Sequence, residues 1–363
     1  MPILKPMNLP EGFEVDTGRL SGCFKHTSAT YKFYWMLALL SEVEQGKERI
    51  EKKALFAGMV SEAWYTVNYF KVSFGANDHL QQAIEKLKDL ESLPVDASPE
   101  TVHRRLLGSK KAKTQRVLRH FDINVPHKFL SPWVGSGSKK GVYALSQHGF
   151  NNPPYALYDD HLLLQPAWLQ YFRKYAGILR GFCLWHLTLF LQTRNPNVPD
   201  VPSKLIRPQR RGSLTPHKKR FWDIVLNELG GMDCIYTARR LNVGEYDMEH
   251  FIPYQFVAHD QMWNLIPADP QFNSRKSDKL PVLADYFDAF YRVQHEAVSI
   301  IREVKPKNKY LDDYLQVSPS QELSPAAYRA VLEPLVTIAS NNGFQFMERV
   351  GSGDVHLLNS VRK

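Results

Sequence analysis

The sequence predicts a mainly α-helical fold with a small α+β part, and three observations carry that prediction. Apolar residues recur at three- and four-residue spacing through most of the 363 residues. Short β-rich pieces, bounded by Gly, Ser, Asn and Pro, are confined to two places. One Pro-rich segment interrupts the helical pattern and splits a chain that already exceeds the usual size of a single core.

Between Thr27 and about Phe121 the helical segments read YKFYWMLALLSEV, KKALFAGMVSEAWYTVNYF, DHLQQAIEKLKDL and SPETVHRRLLGSKKAKTQRVLRHF, with Ser98 and Pro99 as a strong helix start. The aromatics Tyr31, Phe33, Tyr34, Trp35, Trp64, Tyr65, Tyr69 and Phe70 sit at helical spacing and read as core. From 125 to 165 the pieces GVYALS and YALYDDHLLL predict a small β-rich insert. Helix resumes at Pro166 and runs to about Gln192, with Phe182 to Phe190 expected to be buried. Residues 194–216, RNPNVPDVPSKLIRPQRRGSLTP, predict an extended basic connector. The helix HKKRFWDIVLNEL and a hairpin over CIYTARRLNVGEYDMEHF follow, opening a module over 217–290. Helices around LADYFDAFYRVQHEAVSIIREV and SPAAYRAVLEPLVTIASNN lead into a C-terminal region, 291–363, expected to pack on that module.

Composition narrows the class. The 46 basic against 37 acidic residues give a formal +9, which suits a polyanionic partner without requiring one. Three scattered cysteines, Cys23, Cys183 and Cys234, suggest neither a disulfide framework nor a zinc knuckle, and a reducing cytoplasm is the expected location. The most apolar run, Gly181 to Leu191, is interrupted by His186, so neither a membrane span nor a secretory signal is expected.

The stretch from Glu249 to Pro281, EHFIPYQFVAHDQMWNLIPADPQFNSRKSDKLP, gathers the chemistry. Phosphodiester hydrolysis needs a base to deprotonate water, a cation to absorb charge on the phosphoryl oxygens, and rigid positioning of both. His250 suits the base, because a neutral imidazole accepts a proton near physiological pH. Glu249 and Asn273 offer the hard oxygens that suit Mg²⁺, which takes few protein ligands and keeps several waters. Asp269 and Pro270 read as an N-cap and first helical residue, so Asn273 falls early in a short helix and shares a face with Lys276 and Ser277. In a regular strand Glu249 and His250 would point to opposite faces, so the strand must twist or end there, as Pro253 permits. His259, Asp260 and Asp278 read as cap, turn or supporting groups.

The three blocks EHFIP, WNLIP and NSRKSD resemble the HNH nucleases with a ββα-metal site, in the asparagine-containing branch similar to the HNH domain of RNA-guided CRISPR nucleases. The resemblance implies His250 as general base, Glu249 and Asn273 as ligands of one Mg²⁺ or Mn²⁺, and Asn264 as a brace for the loop that orients the histidine. Glu249 stands where Asp is common and reaches one methylene further. The hairpin reads Cys234-Ile235-Tyr236-Thr237, without a second knuckle cysteine, so no structural zinc is expected. Much of the remaining chain, through YKFYW, AWYTVNYFKVSFG and RNPNVPDVPSKL, resembles bacterial HNH endonuclease domain proteins of anti-phage defence systems, the Zorya-type nuclease being one candidate.

The expected substrate is therefore DNA, with nicking as the minimal activity, other defence-system proteins as possible partners and no membrane. Arg275, Lys276 and Ser277 are candidate phosphate contacts, as are Lys204, Arg207, Arg210, Arg211, Lys218, Lys219 and Arg220 of the connector region. An RNase, or a nucleic-acid-binding defence component whose site is held inactive until triggered, remain the alternatives.

Overall fold

The computed structural model describes residues 8–25, 27–135, 137–205, 212–320 and 322–348. Helix accounts for 60 % of it, with a few small sheets, so the chain is mainly α with a small α+β part. It divides into two compact units, Met1–Pro196 with Val201–Arg207, and Asn197–Asp200 with Pro208–Lys363.

In the first unit, the helices Tyr31–Glu44 and Lys52–Asn68 are buried along almost their whole length and pack on each other. Gly58 permits the close approach: a Cβ there would stand 2.9 Å from the Cβ of Ala38. The long helix Pro166–Arg194 lies against Tyr31–Glu44. It buries Phe182, Cys183 and Leu187, but Trp185 is 46 % exposed and Leu189 is also at the surface, so the stretch expected to be wholly buried has one wet face. A three-stranded antiparallel sheet has His161–Leu164 between Arg49–Glu51 and Tyr155–Leu157. The expected β-rich insert is thus half right. GVYALS belongs to the helix Lys139–Gln147, because Ser138 caps its N-terminus through the Gly141 N–H and Val142 and Ser146 turn one face inward.

The connector is less extended than its proline content suggests. The helix before it runs on to Arg194, Pro202–Lys204 forms a 3-10 turn, and helix resumes at Thr215. Arg207, Arg210 and Arg211 lie outside the described residues.

The second unit begins with Thr215–His217, a π turn over Lys218–Trp222 and the helix Asp223–Leu229, closed by Gly230 in the left-handed region. Gly231 follows at φ +94°, where a Cβ would meet the Leu241 carbonyl at 2.9 Å. Strand pairing departs from the single hairpin read off the sequence. Met232–Asp233 pairs with Arg240–Leu241, whereas Asp247–His250 pairs antiparallel with Leu265–Ala268 across the intervening loop. The short helix Pro270–Lys276 comes next, then Leu283–Val304, a 3-10 stretch Lys309–Gln316 and the helix Pro325–Asn341. No described helix is long and apolar enough to cross a membrane.

Candidate active site

Two strands and a helix frame the site. In the antiparallel pair Glu249 stands opposite Ile266 and His250 opposite Leu265, and the Pro270–Lys276 helix packs on the first strand. Asp269 caps that helix, accepting the N–H groups of Gln271 and Phe272. Desolvation works against its charge, yet those two donors and the Arg239 guanidinium hold the Asp269 carboxyl below the usual range. Its contribution is therefore present above the ordinary carboxylate range and lost as pH falls through the lowered value. Tyr236 stacks on Phe272 with ring centroids 4.4 Å apart, and the Asp269 N–H donates to the buried Cys234 Sγ at 3.4 Å, so the outer hairpin clamps the helix start.

Asn264 closes the loop between the strands. Fully buried, it accepts the Ile252 N–H at Oδ1 and donates from Nδ2 to the Ile252 carbonyl, both at 2.8 Å, while its own carbonyl accepts the Phe251 N–H. An Asn264→Ala protein would strand both backbone groups of Ile252 in the core. The expected loss is about 2–3 kcal/mol, read as a lowered urea midpoint with unchanged m.

Glu249 and His250 are 4 % and 5 % exposed, and they take partners from different elements, as opposite faces of a strand require. The Glu249 carboxylate meets Lys276 of the helix, with Nζ 2.5 Å from Oε1. Lys276 is itself buried and also donates to the His250 carbonyl at 2.9 Å. His250 Nε2 lies 2.8 Å from Asp260 Oδ1, and the Tyr254 ring stands edge-on to the imidazole at 5.5 Å. Asp260 was expected only as a cap, turn or supporting group. It acts in the last sense, reaching the imidazole from a loop that the sequence alone does not place.

The rest of the second unit holds that loop from behind. Gln294, fully buried on the Leu283–Val304 helix, donates to the Leu265 carbonyl at 2.8 Å and accepts the Tyr314 hydroxyl at 2.6 Å. Asp313 accepts the Met262 N–H at 2.8 Å, and burial raises its carboxyl above the ordinary range. Phe251 stacks on Phe290 at 3.9 Å. His217 is held low by burial, with Asp260 and Asp313 opposing that effect.

The candidate phosphate contacts divide sharply. Lys276 is a correction: its buried ammonium is engaged by Glu249 and the His250 carbonyl, so it does not face a substrate. Lys204 is another, since the residue is fully buried and its carbonyl accepts the Thr66 hydroxyl. Lys218 is half-buried, donates to the Tyr246 carbonyl and lies 4.1 Å from the Tyr246 ring centroid. Arg275, Ser277, Lys219 and Arg220 are exposed.

Residues 234–282 match the HNH endonuclease family. The comparisons with curated proteins and with solved structures find no match for the chain. The matched HNH segment covers the turn and second strand of the hairpin over residues 232–241, both site strands, the loop and the site helix. It supports a nuclease, a hydrolase acting on nucleic acid with a divalent metal ion.

The donor set fits such an ion. Among the described residues no three His, Cys, Asp or Glu side chains gather as a metal site, so a purely carboxylate or imidazole cage is absent there. Glu249 and Asn273 are two hard oxygen donors on the packed strand and helix, and Mg²⁺ needs no more from a protein. Asn273 is half-buried and, three residues before Lys276, shares the helix face that Lys276 turns to the strand.

Proposed function

We propose that the protein is a metal-dependent endonuclease that hydrolyses phosphodiester bonds in DNA, cutting one strand per event, and that it serves as an effector in bacterial defence against phage. The observation that carries the nuclease reading is the His250–Asp260 contact inside the segment that matches the HNH family. A carboxylate at Nε2 favours the tautomer with its proton there, which makes Nδ1 the basic nitrogen for an attacking water. Asp260 also offsets the charge of the imidazolium formed once that water is deprotonated. Glu249 and Asn273 would hold one Mg²⁺ or Mn²⁺. Bound there, the ion supplies Lewis-acid stabilisation of charge on the phosphodiester oxygens. Asn264 acts at a distance from the reaction, by fixing the loop that ends the His250 strand. Exposed Arg275, Lys219 and Arg220 suit phosphate contact, and with it a salt-dependent affinity. DNA as substrate and the defence role rest on the likeness of the sequence blocks to such nucleases.

Supercoiled plasmid incubated with the protein and Mg²⁺ should relax, stop relaxing in EDTA, and resume when Mg²⁺ or Mn²⁺ is restored. Labelled DNA and RNA of one sequence, compared side by side, separate a DNase from an RNase. Absence of both cleavage and binding of DNA or RNA, under any divalent ion, would remove the enzyme reading. A second reading has an observation of its own: at 4 % and 5 % exposure, Glu249 and His250 are nearly closed to a phosphodiester. A site held shut until triggered would bind DNA in the plasmid assay and leave it supercoiled.

Asp260→Asn tests the orienting contact. The amide keeps the size but not the charge, and we expect kcat to fall by about 10- to 100-fold with KM and metal dependence unchanged. An unchanged kcat would leave Asp260 a purely structural loop residue.

A further inference from the structure

Two helices of the first unit, Pro99–Gly108 and Ala112–His120, join through a turn at residues 109–111 and carry a cationic surface that the HNH site does not use. Arg104, Arg105, Lys110, Lys111, Lys113 and Arg116 are all exposed, and residues 101 to 120 contain no Asp or Glu. The first four line an open groove of about 720 Å³ along the first helix and the turn. On the second helix Thr114 and Leu118 face inward, which leaves Lys113 and Arg116 outward, one turn apart.

Local structure fixes these charges without neutralising them. The buried Glu91 carboxylate accepts the Ser109 and Thr114 hydroxyls, and the Lys111 N–H donates to the Ser109 hydroxyl, so the turn is pinned from below. The same carboxylate meets Arg105 Nε at 3.0 Å and Lys111 Nζ at 3.7 Å, one negative charge against two positive. Among the described residues none forms an ion pair or side-chain hydrogen bond with Arg104, Lys110, Lys113 or Arg116. The helix His79–Glu91, packed on the second helix, sets Glu85 and Asp89 against Lys86 and Lys88 and adds no net charge at its surface. Arg119 is not counted, because it lines a cavity with Asp122, Asp159 and Asp160. An ordinary solvated helix face is laced with both signs. Here Lys113 and Arg116 repel at three-residue spacing, and Lys111 and Lys113 stand at the positive end of their helix, where a cation costs stability. A polyanion would relieve both costs.

We propose that this surface binds the phosphate backbone of duplex DNA without reading its sequence, giving the first unit a DNA contact of its own. None of the large apolar side chains exposed in the molecule lies between residues 101 and 120, as an anionic lipid surface or an apolar protein groove would want. No Phe, Tyr or Trp occurs there for an unpaired base to stack on, which favours a duplex over a single strand. DNA as the polyanion rests on the proposed function, whereas the phosphate contact rests on the surface itself.

Fluorescence anisotropy of a short labelled DNA duplex, titrated with the full chain in EDTA, reads binding without cleavage, so a silent HNH site leaves the test intact. Replacing both exposed cations of the second helix, Lys113→Gln with Arg116→Gln, should raise Kd at least about tenfold at about 0.1 M salt. The dependence of log K on log salt should become shallower by about 2. The unfolding midpoint should be no lower than that of wild type, since the change removes repulsion. Lys128→Gln with Lys140→Gln takes the same charge from exposed positions elsewhere in the unit and should leave affinity and slope near wild type. Equal weakening by both pairs would make net charge the cause, and unchanged affinity and slope in the Lys113 and Arg116 pair would leave no contact there; either overturns the proposal. Loss of binding to phosphatidylserine vesicles in that pair, with duplex binding intact, would give the surface to a membrane and overturn it equally. Duplex binding that depends on this surface, in a protein that never nicks with Mg²⁺, would keep the inference and leave the claim of cleavage to fall alone.

Discussion

His250→Ala should reduce plasmid nicking by between about a hundredfold and ten-thousandfold, the range for removal of a general base, while DNA affinity stays within about twofold. The separation follows from what the side chain touches. The imidazole engages Asp260 and the Tyr254 ring, and the backbone carbonyl, which the substitution keeps, still accepts from Lys276. Strand pairing with Leu265 is also a main-chain matter and survives. The protein should therefore keep its circular dichroism spectrum and its DNA complex. Loss of binding in parallel with cleavage would show that His250 holds the fold and leave its chemistry undecided. His250→Asn is the companion variant, because it restores a polar group near Asp260 without a basic nitrogen. A nicking rate near wild type in either variant would remove His250 as the base.

Lys276→Met should be the most destabilising single change at the site, costing about 3–5 kcal/mol. Glu249 is 4 % exposed and meets the Lys276 ammonium at 2.5 Å, so removing the cation leaves a carboxylate buried beside an apolar chain. The same change frees the His250 carbonyl of its donor. Methionine keeps most of the volume, which separates the electrostatic loss from a packing loss. Combining it with Glu249→Gln removes both charges, and the double variant should recover much of the stability because the uncompensated group is gone. Urea unfolding of the four proteins in the cycle measures the coupling. Additive losses, with no recovery, would mean that Lys276 stabilises through its stem and the His250 carbonyl alone. The cycle also bears on activity, since Glu249→Gln is expected to abolish metal-dependent nicking whatever it does to stability.

Those two residues show what the sequence could and could not say. The helical segments were legible because a 3.6-residue apolar period survives in the chain itself, as in DHLQQAIEKLKDL, whose helix buries Leu80, Ala83, Ile84 and Leu87. The misread piece, GVYALS, alternates like a strand over a few residues, and only the Ser138 cap and the burial of Val142 and Ser146 settle it as helix. Arg49–Glu51 went unseen because three residues carry no period at all. At the site, residue identities and order were readable, but partners were not. Strand Asp247–His250 skips the nearby hairpin to pair across the loop with Leu265–Ala268, a choice that depends on how the intervening loop closes. Lys276 looked like a phosphate contact because nothing local says which side of a seven-residue helix faces inward. Asp260 lies ten residues from His250, and that loop brings them together.

The position of Asp260 has a consequence for how such a site can change. The strands and helix that carry Glu249, His250 and Asn273 form one frame, tied together by Lys276, while the carboxylate beside the imidazole is lent by the loop between the strands. In the proposed mechanism the ligands and the base share that frame, and only the group that tunes the base lies on a separable part. A loop of different length or composition, grafted between Ile252 and Asn264, could retune the imidazole while Glu249 and Asn273, the proposed ligands, stay where they are.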